Sequence, residues 1–193
     1  MGKLIFLVGG VRSGKSDHAE RMAARYEDVA YIATAISTDA EMRRRIDKHQ
    51  QRRPQTWKTY EAPYDIAGAV RENEHEAYLI DCITVYITNL LLREKTDWDG
   101  TDVLERGEQE ALERKIEEKI RELLAEISKS DAAFIVVSNE VGMGLVPAYS
   151  LGRLFRDAAG MANRMIADAA GEVYLSVSGI LLPLKKDENG GKQ

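Results

Sequence analysis

An apolar run, Leu4–Val8 (LIFLV), leads straight into Gly9-Gly10-Val11-Arg12-Ser13-Gly14-Lys15-Ser16, and no other segment narrows the possible folds as much. The octapeptide fits G-x-x-x-x-G-K-[ST]. It lies between a β-rich run and a stretch predicted to be helical from about Ser16 to Tyr26, the context such a loop needs. Its glycines let successive backbone N–H groups turn inward around an anion, and the helix N-terminus adds partial positive charge at the same point. On this reading residues 9–16 (Gly9, Gly10, Val11, Arg12, Ser13, Gly14, Lys15, Ser16) cradle a nucleotide's phosphates. Lys15 reaches the β- and γ-phosphates, and the Ser16 hydroxyl ligates Mg2+. The bland alternative is a glycine-rich turn closed by a capping serine.

Apolar β-rich runs and amphipathic stretches alternate along the rest of the chain. Val29–Ala33, Tyr78–Ile83, Ala133–Ser138 and Glu172–Val177 read as strands. Helices are predicted over Asp39–Arg52, over Pro63–Asn73 with Pro63 in the first turn, and over Leu151–Ala170. In a long helix, Leu112, Ile116, Ile120, Leu123 and Ile127 recur at helical spacing amid Glu, Lys and Arg. This order predicts an α/β fold: a single P-loop NTPase domain over 1–184 with a mostly parallel sheet flanked by helices, then a polar tail over 185–193. At 193 residues and 44% hydrophobic content the chain can build one core without staples. Its one cysteine, Cys82, reads as a small core residue. No apolar stretch reaches the length of a membrane span, so a cytoplasmic protein without membrane insertion is expected. The 27 Lys and Arg against 32 Asp and Glu give a net charge of −5, which argues against a nucleic-acid coat protein.

Two further features carry chemistry. Asp81 stands near the end of the Tyr78–Ile83 run, where a second acid is expected to complete a magnesium shell; capping the next helix is its alternative role. Glu140 is a weaker candidate for the same region. Residues 43–53 carry +5 on an otherwise acidic chain, which suits a patch facing a triphosphate, although a solvated helix face would also account for it. His49 sits in that patch. Neighbouring cations favour its neutral form, whose lone pair is able to attack phosphorus. His18 and His75 read as structural or solvated.

In combination these residues resemble the bifunctional adenosylcobinamide kinase / adenosylcobinamide-phosphate guanylyltransferase family of cobalamin biosynthesis. The matching segments are Gly9–Ser16 (GGVRSGKS), Tyr31–Thr34 (YIAT), Asp39–Pro54 (DAEMRRRIDKHQQRRP), Trp57–Pro63 (WKTYEAP), Asp81–Leu91 (DCITVYITNLL), Ser138–Pro147 (SNEVGMGLVP), Leu154–Gly160 (LFRDAAG) and Val177–Ile180 (VSGI). The resemblance implies a RecA-like sheet and a homotrimer. It also implies two reactions: phosphorylation of adenosylcobinamide by ATP or GTP, then transfer of GMP from GTP to adenosylcobinamide phosphate through a guanylylated histidine. That histidine falls on His49. The implied nucleotide contacts fall on residues 9–16, Thr34, Ala35, Ile36, Gln50, Gln51, Arg52, Arg53, Glu61 and Asp81, with Ser16 and Asp81 at Mg2+.

The chain departs from the family pattern twice. Where G-R-x-N-Q is common it has Gly160-Met161-Ala162-Asn163-Arg164, and Lys48 precedes the nucleophile in place of a frequent histidine. An ordinary P-loop kinase independent of His49 stays open at this point, as does a guanylyltransferase without kinase activity. A RecA-like DNA-binding module is disfavoured by the acidic total and by an aromatic content of only 7%.

Overall fold

A computed structural model describes residues 3–37, 44, 53–94 and 104–186. The elements follow in the order β1 (Leu4–Gly9), α1 (Lys15–Ala23), β2 (Val29–Ala33), β3 (Lys58–Glu61), α2 (Ile66–Arg71) and β4 (Ala77–Asp81). After these come α3 (Ile83–Glu94), α4 (Arg106–Lys129), β5 (Ala133–Asn139), α5 (Ser150–Ala169), β6 (Glu172–Val177) and β7 (Ile180–Lys185). The strands form one seven-stranded sheet in the order β3-β2-β4-β5-β1-β6-β7. Every neighbouring pair is parallel except β6–β7, an antiparallel hairpin.

Period-two alternation divides the core between the two faces of the sheet. Leu4, Phe6 and Val8 of β1 join Ile32, Ile80, Phe134 and Val136 on one face, under apolar residues of α2, α3, α4 and α5. Ile5 and Leu7 point the other way, with Val29, Tyr31, Leu79, Ile135 and Val137, against Ala19 and Ala23 of α1 and Trp57. All six residues of β1 are buried, as a parallel strand covered on both faces requires.

Helix α4 shows which forces dominate. Ile116, Ile120, Leu123 and Ile127 are at most 5% exposed, and burying each side chain stabilises by about 1.5–3 kcal/mol. Its outer face carries ion pairs such as Arg106–Glu110 and Arg121–Glu117, each contributing about 0.3–0.5 kcal/mol. The apolar stripe therefore fixes the helix and the charges keep it soluble.

Several sequence expectations shift in the structure. The helix expected over Pro63–Asn73 is confined to Ile66–Arg71, because Asp65 caps it by accepting a hydrogen bond from the Gly68 N–H at 3.1 Å. The strand expected to run to Ile83 stops at Asp81, since Ile83 already opens α3. Helix α1 ends at Ala23 rather than near Tyr26. Strands β3 and β7 give no clear sequence signal. Both lie at sheet edges and are largely exposed, and β7 contains Pro183, which an edge tolerates. The helix expected over Asp39–Arg52 lies outside the described residues apart from Arg44, which is helical and exposed. Among the described residues no helix is long and apolar enough to cross a membrane.

Candidate active site

Sheet register collects the ends of six strands along one edge. Gly9 pairs with Asn139 on one side and Ser176 on the other, while Ala33 pairs with both Asp81 and Glu61. In open α/β sheets, ligands bind outside these carboxyl ends. Strand β5 lies between β1, which feeds the glycine-rich loop, and β4, which ends in Asp81.

The loop is shaped by backbone conformations that few residues accept. Gly14 caps α1 with φ 92°, and Arg12 also has positive φ at 56°. Gly9 is required for another reason, because a Cβ there would overlap the Ser176 carbonyl oxygen. Lys15 is 7% exposed, and its Nζ donates to the Gly10 carbonyl at 3.0 Å. Burial lowers the Lys15 pKa from the usual lysine value, with Cys82 and Asp81 opposing it.

The far side of the loop is held by the hairpin between β6 and β7. Its turn residues, Ser178 and Gly179, have φ 51° and 82°, the conformation that a two-residue hairpin loop favours. The Ser13 carbonyl accepts from Ser176 Oγ at 2.7 Å and from the Gly179 N–H at 2.9 Å. His18 Nε2 lies 2.9 Å from the Gly179 carbonyl, and Nδ1 lies 2.8 Å from Arg21 Nη2. A guanidinium only donates, so Nδ1 is the acceptor and Nε2 carries the proton toward Gly179. His18 thus ties α1 to the hairpin, the structural one of its two expected roles. His75 is structural, as one of its two expected roles had it: its side chain is 2% exposed, with Nδ1 2.8 Å from Asp28 Oδ1 and Nε2 2.9 Å from the Tyr60 hydroxyl.

Asp81 does not cap α3. Its Oδ2 accepts from the Tyr31 hydroxyl at 3.0 Å. Beneath it, Thr34 Oγ1 accepts from the Cys82 N–H at 2.8 Å and lies 3.1 and 3.0 Å from the carbonyls of Asp81 and Cys82. Asn89 of α3 donates to the carbonyls of Thr34 at 2.7 Å and Pro63 at 3.2 Å, fixing the segment that leads into Ala35 and Ile36. Cys82 is buried, as expected of a core residue, and burial raises its thiol pKa. Asn139 donates to Thr84 Oγ1 at 2.7 Å and its carbonyl accepts from Asn163 Nδ2 at 3.0 Å, so Asn163 braces the end of β5.

The other expected contacts are distributed as follows. Arg53 stacks on Tyr31, with Cζ 3.2 Å from the ring centroid, and its Nε and Nη1 are buried without a hydrogen-bond acceptor among the described residues. Glu61 lines an open cleft of about 530 Å3 with Tyr60, Tyr64, Asp65 and Glu72. Glu140 Oε1 accepts from the Gly142 N–H of its own loop at 2.6 Å. His49, Gln50, Gln51 and Arg52 lie outside the described residues. Tyr31 and Asn89 were not foreseen individually. An amide within the otherwise apolar run Ile83–Leu91 was the available signal for Asn89.

The donor set suits magnesium. Ser16 and Asp81 offer hard oxygens, and no cluster of three or more His, Cys, Asp or Glu occurs among the described residues. Mg2+ characteristically takes one or two protein oxygens and completes its shell with phosphate oxygens and water.

A family model described as cobinamide kinase / cobinamide phosphate guanyltransferase matches residues 5–184. The bifunctional adenosylcobalamin biosynthesis protein CobU of Escherichia coli (strain K12) is 40% identical over 184 residues, covering 94% of this chain and 99% of its own. The corresponding CobP of Pseudomonas aeruginosa is 43% identical over 183 residues, covering 93% and 95%. Among solved structures, an ATPase of a bacterial type III secretion system matches with a TM-score of 0.55 at 11% identity, over 95% of this chain and 58% of its own. That likeness concerns the fold, a RecA-like α/β sheet.

Proposed function

The chain belongs to the cobinamide kinase / cobinamide phosphate guanyltransferase family, and from that premise we propose how its residues divide the two reactions. The protein is a bifunctional enzyme of adenosylcobalamin biosynthesis. Its substrates in our reading are adenosylcobinamide, adenosylcobinamide phosphate, GTP and ATP. The observation that carries the site assignment is the meeting of Lys15, Asp81 and Thr34 at the carboxyl ends of the strands, with Arg53 stacked on the tyrosine that donates to Asp81.

In the kinase reaction, residues 9–16 hold the triphosphate through backbone N–H groups, and Lys15 exchanges its Gly10 carbonyl for phosphate oxygens. The adenosylcobinamide hydroxyl attacks the γ-phosphorus, the bond to the β–γ bridging oxygen breaks, and the hydroxyl proton leaves to solvent. Ser16 and Asp81 would hold Mg2+, which when bound neutralises charge on the phosphates. In the transfer reaction a neutral His49 nitrogen attacks the α-phosphorus of GTP and pyrophosphate departs. Gln50, Gln51, Arg52 and Arg53 neighbour the nucleophile in sequence, and the arginines stabilise charge growing on the leaving group. A phosphate oxygen of adenosylcobinamide phosphate then attacks the same phosphorus, the P–N bond breaks, and His49 is regenerated as adenosylcobinamide-GDP leaves.

The reading extends to a homotrimer working in the cytoplasm, and to a catalytic domain over 1–184 with a polar tail from 185, whose first residue, Lys185, still closes β7. Incubation with Mg2+ and α-labelled GTP is expected to leave acid-labile label on the protein, and none on His49→Ala. Label retained by that variant would refute the histidine assignment.

A further inference from the structure

Tyr31 takes no part in either reaction as derived above, yet it touches one charged group assigned to each, Asp81 and Arg53. It lies on β2, is 3% exposed, and packs among apolar side chains including Val29, Leu79 and Val137. A purely apolar residue would satisfy that environment. Instead its ring carries the Arg53 guanidinium at 3.2 Å, and its hydroxyl donates to Asp81 Oδ2 at 3.0 Å. Arg53 makes no hydrogen bond through Nε or Nη1 among the described residues, leaving those donors for an anion.

We propose that Tyr31 is a positioning residue that sets the spacing between the phosphate-facing cation and the metal-facing acid. The ring orients Arg53, and the hydroxyl occupies Asp81 Oδ2 so that Oδ1 is presented to the nucleotide's metal. The proposal rests on the roles assigned to Arg53 and Asp81 above. It separates the two halves of the residue: the ring serves the phosphates whether or not metal is present, whereas the hydroxyl serves the metal alone.

Equilibrium binding of a fluorescent GTP analogue, first in EDTA and then across a Mg2+ titration, distinguishes them without reference to turnover. Tyr31→Phe keeps the ring and loses the hydroxyl. Its metal-free Kd is expected within about twofold of the parent, while the Mg2+ concentration giving half-maximal tightening rises about tenfold or more, the loss of one hydrogen bond to a charged group. Tyr31→Leu shows the same Mg2+ shift and also binds about fivefold more weakly without metal, because the guanidinium loses its aromatic face. Asp81→Asn is the reference, and should move the Mg2+ midpoint furthest. If it moves the midpoint and Tyr31→Phe does not, the proposal is overturned while the Asp81 assignment stands. If Asp81→Asn leaves the midpoint unchanged, the metal assignment fails and takes the proposal with it. The near-isosteric Phe variant decides the matter even if the Leu variant does not fold.

Discussion

Lys15 is a charged side chain held almost wholly below the surface, tethered to a carbonyl of its own loop. Burying an ammonium costs free energy that one carbonyl only partly offsets, so this residue is present for the anion rather than for the fold. Lys15→Met should therefore leave the thermal midpoint unchanged or raised, while nucleotide-dependent turnover falls on the order of 100- to 1,000-fold. Parallel calorimetry and steady-state assays check both halves. Asn89 shows the reverse economy. Asn89→Leu leaves the Thr34 and Pro63 carbonyls without their donor, and a fall in stability of about 1–3 kcal/mol is expected in urea unfolding. Lys15 was legible in the sequence because the loop motif fixes its neighbours and its task together. Asn89 was not, because its partners lie 55 and 26 residues away and a helical pattern records only which face is buried.

At the scale of elements, legibility followed burial. Strand β1 and helix α4 announce themselves because burial on both faces makes one a continuous apolar run and burial on one face gives the other a 3.6-residue stripe. Strands β3 and β7 are edge strands with few buried residues, and their pairing is dictated by neighbours the sequence does not display. Yet β7 completes the hairpin whose turn holds Ser13. Gly179 stands there at φ 82°, a conformation that costs an L-residue about 1–2 kcal/mol. Gly179→Ala is accordingly expected to lower stability by that amount and to weaken nucleotide binding, since strain in the turn reaches the Ser13 carbonyl directly. Denaturant titration paired with calorimetric nucleotide binding tests this, and unaltered affinity in a destabilised variant would confine the hairpin to a structural role.

For the molecule as a whole, the charge distribution and the sheet order matter most. A net charge of −5 conceals +5 within residues 43–53, so an acidic protein can still gather a triphosphate. Stability should vary with pH through Glu172, which joins β6 to Lys3 beside β1 at 2.5 Å and accepts from the Tyr174 hydroxyl at 2.6 Å. Burial pushes this carboxyl up, but the Lys3 and Tyr174 hydrogen bonds outweigh it and hold its pKa below the ordinary 4.5. A depressed folded-state pKa gives stability that is full above 4.5 and lost as pH falls through the lower folded value. Tyr174, raised to about 12 by burial and Glu172, contributes below 10 and loses that contribution as pH climbs toward 12. Glu172→Gln should flatten both limbs of the stability–pH curve measured by chemical denaturation, and an unchanged acid limb would show that other carboxylates set it. Strand β1 carries a further consequence. Its partners, β5 and β6, begin at residues 133 and 172, so β1 has no sheet neighbour until chain far beyond it has been made. The glycine-rich loop that β1 feeds therefore acquires its shape only when those distant segments fold back onto it. Until then β1 is an unpaired apolar segment of the kind that chaperones bind.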